Sequence, residues 1–301
     1  MKTVLISGSD TALFPHLQTL IASLEGHPQV TSVDLAVLHP GLPDAQLDWL
    51  GGHVVHIHEL GWRLRDAIAE PALQFMKIMD ARAMLPELVP GYDIYVWVDA
   101  DAWVQRWDAI DLLIRGAAEG ALAGVAELHP RFSLPIPGLK VTHLPFGLMY
   151  VKSWAHRRYR RFYGEAAARD FGFEPILNSG VIALRGDAPH WSHWVDSLRL
   201  AIGKADKPTH YLNQIALNHA VRIHGLPVAH LPAWCNWPCG RALPMYDREA
   251  RCFVEPMLPY PPLGIVHRTA KTKDGAFEIK TTDGGSVRMA LAPPDPGQGL
   301  S

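Results

Sequence analysis

Cysteine is scarce in this chain of 301 residues: Cys235, Cys239 and Cys252 are the only three. That excludes a disulfide framework and fits a reducing cytoplasm. Cys235 and Cys239 with His230 nearby form an incomplete zinc set, because no fourth ligand stands at a usual spacing. Long apolar runs are lacking too. The N-terminal Val4-Leu5-Ile6 is far too short for a secretory signal, and nothing later nears the ~20 residues of a membrane helix. Excess positive charge is also absent, since the net charge is −2, which argues against a general nucleic-acid binder. The turn after the first strand reads Ser7-Gly8-Ser9-Asp10. It lacks the Gly-x-Gly-x-x-Gly of a nicotinamide-binding Rossmann unit and the basic loop of a sugar nucleotidyltransferase.

What is present is a core. Apolar residues make up 48% and charged residues 19%, the balance of a globular α/β chain. Val4-Leu5-Ile6, the 33–38 stretch and the 54–57 stretch predict three strands, with a helix from Leu13 to Leu24 between the first two. A long helix is expected from about Pro71 to Leu88. Ile94-Tyr95-Val96-Trp97-Val98 is continuously apolar, as in a strand buried on both faces. Further strands are expected at 122–126 and 176–184, and helices at 150–162, 191–202 and 211–223. Together these predict a mostly parallel central sheet flanked by helices. The 129–147 segment, with four prolines, reads as a long ordered loop of functional interest. The 277–291 stretch alternates around Asp283-Gly284-Gly285 and predicts a hairpin. The boundaries expected are a main domain over 1–275, a hairpin extension over 276–291 and a disordered tail over 292–301.

The chemistry concentrates after the apolar strand. Asp99 and Asp101 stand directly at its end, where open parallel sheets bind ligands. On extended chain their side chains lie on one side, ~7 Å apart. Two carboxylates there suit a hard divalent cation that bridges to phosphates. The competing reading is turn and helix-cap duty. His53, His56 and His58 share one strand face with no acidic or thiol partner, which favours surface over metal. The arginines of 157–161 fit a solvated helix face. Trp191, Trp194, Trp234 and Trp237 fit core packing better than sugar stacking.

Asp80-Ala81-Arg82-Ala83-Met84-Leu85 followed by the strand ending in Asp99-Ala100-Asp101 resembles the hallmark stretch of family 8 glycosyltransferases. Asn178-Ser179-Gly180-Val181 is similar to that family's second block. Tyr211-Leu212-Asn213-Gln214 running to Asn218 resembles its third, and His267 followed by Lys273 its terminal block. The four blocks lie in order and cover roughly residues 1–275.

The resemblance implies a GT-A fold, that is, a Rossmann-like α/β sheet, and a Mn2+ or Mg2+ ion held by Asp99, Asp101 and His267. It implies transfer of a sugar from a nucleotide-diphospho-sugar donor to an unidentified acceptor, with retention of configuration. In that scheme Ser7 and Asp10 hold the nucleoside, while Lys77 and Lys273 meet the diphosphate. Arg82 steadies the acidic pair or the sugar, and Ala100, Ser179 and Gly180 line the donor. Asn178, Asn213 and Gln214 form the catalytic set, with the Gln214 oxygen supporting a cationic sugar. Asn213 stands where the family has Asp, Ala270 where it has Gly, and Asp274-Gly275 where it has Pro-Trp; Lys271 adds a second phosphate candidate. Asn213 keeps a second reading open, a catalytically weak sugar- or nucleotide-binding protein on the same scaffold. The donor sugar, its base, the acceptor and the oligomeric state are not legible.

Overall fold

The computed structural model describes residues 1–132, 140–143, 149–209 and 211–293. The first half runs β1 (Thr3–Gly8), α1 (Phe14–Glu25), β2 (Asp34–His39), α2 (Asp44–Gly51), β3 (His56–Glu59), α3 (Met76–Ala81), α4 (Leu85–Leu88), β4 (Ile94–Val98), β5 (Ala102–Val104), α5 (Asp108–Ala118) and β6 (Leu122–Ala126). The second half runs β7 (Lys140–His143), β8 (Met149–Lys152), α6 (Trp154–Tyr163), α7 (Glu165–Phe171), β9 (Leu177–Arg185), α8 (His190–Gly203), α9 (Leu212–Ile223) and β10 (Val228–His230). Short strands follow: β11 (Trp237–Pro238), β12 (Met245–Asp247), β13 (Cys252–Val254), β14 (Ile265–His267), β15 (Ala276–Lys280) and β16 (Ser286–Ala290).

Seven strands form the central sheet in the order β10-β6-β9-β4-β1-β2-β3. β1 pairs in parallel with both β2 and β4, while β9 runs antiparallel between β4 and β6. This is the mostly parallel α/β architecture of the GT-A fold. Alternation along each strand divides the core. Ile6, Leu38, Tyr95, Trp97, Ile182 and Leu184 face one side, against α8 and α9. Leu5, Val37, Val96, Val98, Val181 and Ala183 face the other, against α1 and α5. Such two-sided burial is what the unbroken apolar run of β4 requires.

A third apolar cluster lies apart from the main sheet, joining Trp103, Trp237, Tyr246, Phe253, Val266, Ile279 and Leu291. Its frame is a small sheet, β11-β14-β5, in which His267 lies opposite Ala102. The expected hairpin is present as β15 and β16, antiparallel. It contributes Ile279 to this cluster, and Trp103 Nε1 donates to the Leu291 carbonyl just beyond it. A chain segment far from β4 is thereby laid beside its end.

The expected long helix over 71–88 is a correction. The chain forms short pieces there: a 3-10 turn at Pro71–Leu73, α3, a second 3-10 turn at Arg82–Met84, and α4. Met84 leaves the helical region with φ −129°, and Pro86 lies in the first turn of α4; proline supplies no N–H to continue a helix. Most of the 129–147 loop lies outside the described residues, although Lys140–His143 pairs with Met149–Lys152. Of the expected tail, 294–301 likewise lies outside them. Among the described residues no helix is long and apolar enough to cross a membrane.

Candidate active site

β4 delivers Asp99 at its carboxyl end, and a tight turn carries Ala100 and Asp101 into β5. The Ala102 N–H closes that turn on the Asp99 carbonyl at 2.9 Å. The turn alters the spacing expected of extended chain. Carboxylate oxygens of Asp99 and Asp101 and a ring nitrogen of His267 all lie within 4.8 Å of one another. His267 Nε2 is 3.3 Å from Asp101 Oδ1 and 3.7 Å from Asp99 Oδ2. No other group of three such residues converges among the described residues.

Each carboxylate has its own cation. Arg82 Nη2 donates to Asp99 Oδ1 at 2.6 Å, joined there by Trp97 Nε1 at 2.8 Å. The guanidinium also lies over the Trp97 ring, 4.9 Å from its centre. Lys273 Nζ donates to Asp101 Oδ2 at 2.9 Å. Burial pushes the Asp99 carboxyl above its ordinary range, and Asp101 adds to the rise against the pull of Arg82. Burial works the same way on Asp101, but His267 and Lys273 outweigh it and hold that carboxyl well below the carboxylate range. Burial lowers the basicity of His267, yet the two aspartates overcome this and raise its pKa. The two carboxylates thus favour a proton on the imidazole.

β9 closes the site from the other side. The Asp99 N–H donates to the Gly180 carbonyl at 2.7 Å. A Cβ at Gly180 would lie 2.5 Å from both Asp99 Oδ2 and His267 Cε1. Asn178 and Ser179, on the same strand, are buried, and Gln214 reaches β9 from α9: its Oε1 accepts from the Ser179 N–H at 3.3 Å. β9 is continuous through Asn178-Ser179-Gly180, but its register with β6 shifts there: Gly124 lies opposite Ile182 and Ala126 opposite Leu177, so the surplus residues bulge on the β9 side.

The remaining expected residues divide. Ala100 is buried in the turn, and Ser7 Oγ is buried with no hydrogen-bond partner among the described residues. Asp10 Oδ1 accepts from the Leu13 N–H at 2.9 Å, a turn-capping bond ahead of α1. Lys77 donates to the Pro40 carbonyl at 3.1 Å rather than to the acidic pair. The Asn213 amide is directed to the Met79 carbonyl, 2.6 Å away, leaving its Oδ1 buried and unpartnered among the described residues. Ala270, at the position the resemblance gives to glycine, has φ 56°. The left-handed turn is retained there, at a strain of roughly 1–2 kcal/mol for a residue with a Cβ.

Several candidates outside the site resolve as structure. Cys235 and Cys239 are buried and unpaired, with burial pushing the Cys235 thiol up to about 12. Trp191, Trp194 and Trp237 are core residues. His56 bonds Tyr92 and His53 pairs with Glu25. In the basic helix α6, Arg160 pairs with Glu165, Arg161 with Asp206, and Arg158 lies over Trp154 and Tyr211. Sequence reasoning missed Glu127 and Asn236. Glu127 Oε1 accepts from Asn178 Nδ2 at 2.9 Å, and Asn236 Oδ1 accepts from His267 Nδ1 at 3.0 Å.

The sequence matches no family model and no curated protein. Solved structures do match. The galactosyltransferase LgtC, in complex with donor and acceptor sugar analogues, has a TM-score of 0.53 at 14% identity, covering 89% of this chain and 88% of that one. The glycosyltransferase GlyE of Streptococcus pneumoniae gives 0.51 at 15% identity, over 91% of this chain and 56% of that one. The bifunctional glycosyltransferase WbbM gives 0.50 at 14% identity, over 77% of this chain and 39% of that one. The chain therefore spans little more than half of GlyE and about two-fifths of WbbM, but most of LgtC. It has the fold of these glycosyltransferases, with an Asp-Asp-His cluster set at the carboxyl end of its central strand.

Proposed function

We propose that this protein is a metal-dependent glycosyltransferase that moves a sugar from a nucleotide-diphospho-sugar to an acceptor, with retention of configuration. The observation that carries the reading is the convergence of Asp99, Asp101 and His267 within 4.8 Å, beside Lys273 and at the end of a buried strand. Two carboxylates and an imidazole fit Mn2+ or Mg2+. The clearance that Gly180 provides against two of these residues fits a crowded ligand sphere.

A bound Mn2+ or Mg2+ supplies Lewis-acid neutralisation of the leaving diphosphate. Lys273, whose ammonium rests on Asp101, adds positive charge on the same side, and Lys77 is a further candidate. Ser7, near the end of β1, and Asp10, just beyond it, serve the nucleoside side, with Ala100, Ser179 and Gly180 along the donor and Arg82 holding Asp99 in place. The bond from the sugar C1 to the diphosphate oxygen breaks, and the acceptor oxygen bonds C1 on the same face. The acceptor proton passes to the departing oxygen. Charge left on the sugar is met by the amide oxygen of Gln214, with Asn178 beside it. Asn213, whose amide is bonded to the Met79 carbonyl, stands where the resemblance gives an aspartate.

Calorimetric titration of a panel of nucleoside diphosphates and their sugar conjugates, with and without Mn2+, tests the proposal. The wild type is expected to bind at least one of them in a Mn2+-dependent manner, and Asp101→Ala to abolish it. No binding by the wild type in either condition overturns the reading. Donor binding with no hydrolysis and no transfer would instead favour the binding-protein alternative.

A further inference from the structure

Behind the acidic pair runs a chain of buried amides. His267 presents Nε2 to Asp99 and Asp101, so the proton of its neutral, metal-binding form must sit on Nδ1. That nitrogen is 3.0 Å from Asn236 Oδ1, and Asn236 is fully buried. Asn236 Nδ2 donates to Asn178 Oδ1 at 3.1 Å, which also accepts from the Gly180 N–H at 2.9 Å. Asn178 Nδ2 donates to Glu127 Oε1 at 2.9 Å, and Gln214 Nε2 donates to the same oxygen at 3.3 Å. Glu127 Oε2 faces Arg241 Nε at 3.5 Å. An ionised carboxylate only accepts, and each amide has one donating and one accepting end. Reversing any amide in this chain therefore sets donor against donor or acceptor against acceptor.

We infer that Asn236 and Glu127 are positioning residues at the two ends of this relay, resting on the glycosyltransferase reading above. Asn236 fixes the His267 tautomer and so aims Nε2 at the cation. Glu127 takes the Gln214 nitrogen, which sets the amide oxygen toward the Ser179 N–H and leaves that oxygen a second lone pair for the sugar. The Gly180 N–H secures Asn178 independently of Glu127. The two ends are thus separable: Asn236 governs cation affinity, and Glu127 governs turnover.

Two readouts test the split, with thermal melts run alongside. The first is titration with Mn2+ alone. Asn236→Leu, which shares the branching but has no polar atoms, is expected to weaken Mn2+ binding about 10- to 100-fold. Asn236→Asp keeps an oxygen against Nδ1 but sets its second oxygen against Asn178 Oδ1, so it is expected to lose less Mn2+ affinity than Leu without matching the wild type. A merely structural role would penalise the buried charge of Asp at least as much as Leu. Asn236→Ser, too short to reach Nδ1, carries the same expectation as Leu if that variant does not fold.

The second readout is release of nucleoside diphosphate from a panel of uridine, guanosine and thymidine diphospho-hexoses. Glu127→Ala is expected to lower kcat at least about tenfold with donor KM and Mn2+ affinity little changed. Glu127→Gln, which can offer one amide oxygen to both Asn178 and Gln214, should recover most of it. Wild-type Mn2+ affinity in Asn236→Leu, or wild-type kcat in Glu127→Ala, overturns the inference while the wild type still binds and turns over. A wild type that binds neither Mn2+ nor any donor removes the glycosyltransferase reading itself, and this inference with it.

Discussion

Gly180 occupies a place where a methyl group collides with two proposed ligands at once. Its Cβ would lie 2.5 Å from Asp99 Oδ2 and from His267 Cε1, below any ordinary contact. Gly180→Ala is therefore expected to fold, because β9 is otherwise unchanged, and to bind Mn2+ at least about tenfold more weakly, as displaced ligands do. Calorimetry against the wild type measures this; equal affinities would show that the ligands are not held against β9.

His267 gives the same centre a pH dependence. Its folded pKa is raised above the ordinary 6.5 by the two aspartates, against the effect of burial. In the metal-free protein that stabilisation is present below about 6.5 and is lost as pH rises through the raised pKa. A cation requires Nε2 unprotonated and so competes with the proton. Mn2+ affinity should climb as pH rises through that range and level off above it. A flat profile over the same pH series would remove His267 from the cation site. At this scale the sequence was informative about Asp99 and Asp101, because two carboxylates at the end of a buried apolar strand repel each other unless a cation joins them. It was silent on Asn236 and Glu127, whose meaning exists only once β6, β9 and the segment before β11 are folded together.

Between single residues and the whole, the segment from β3 to β4 is an irregular part of the main sheet's frame. Residues 60–75 carry little helix or strand; Leu60 and Leu64 pack on the core, and a buried ion pair ties the segment to α3. Arg65 Nε and Nη2 meet Asp80 Oδ2 and Oδ1 at 2.6 and 2.7 Å. Burial raises the Asp80 pKa against the opposing pull of Arg65. Asp80 lies two residues before Arg82, which in turn holds Asp99, so the pair anchors the approach to the site.

Arg65→Leu leaves a buried carboxylate uncompensated and is expected to cost about 3–5 kcal/mol. The double variant Arg65→Leu with Asp80→Leu should cost much less, giving a large coupling in denaturant melts. The single-variant penalty should ease as pH falls through the raised pKa of Asp80, because protonation removes the charge. Strictly additive penalties would show that the two side chains are not coupled. Periodicity alone predicts one helix over 71–88. It fails because apolar spacing cannot register the break at Met84, the missing N–H of Pro86, or a charge pair formed with residue 65.

For the molecule as a whole, the succession of strands along the chain was legible up to β4, where each apolar run is bounded by a turn. The antiparallel placement of β9 was not, because a strand buried on both faces looks the same in either direction. Nor was the third cluster, which joins Trp103 to Phe253 and Ile279 and draws β14 against β5. That cluster, with the pairing of β14 on β5 and the Arg268 N–H donating to the Asp101 carbonyl, brings His267 to Asp101, so the metal-free protein is expected to fold without a cation. A cation held by Asp99, Asp101 and His267 would bind the folded state and not the unfolded chain. Mn2+ at about one hundred times its dissociation constant should therefore add about 2.7 kcal/mol of stability, and the melting temperature should rise with Mn2+ concentration. Asp101→Ala, which loses the pairs with His267 and Lys273, should melt below the metal-free wild type and show no such rise. If Mn2+ stabilised the wild type and Asp101→Ala equally, the cation would be acting elsewhere on the molecule. If the wild type unfolded without Mn2+, the third cluster would not be sufficient to hold β14 in place.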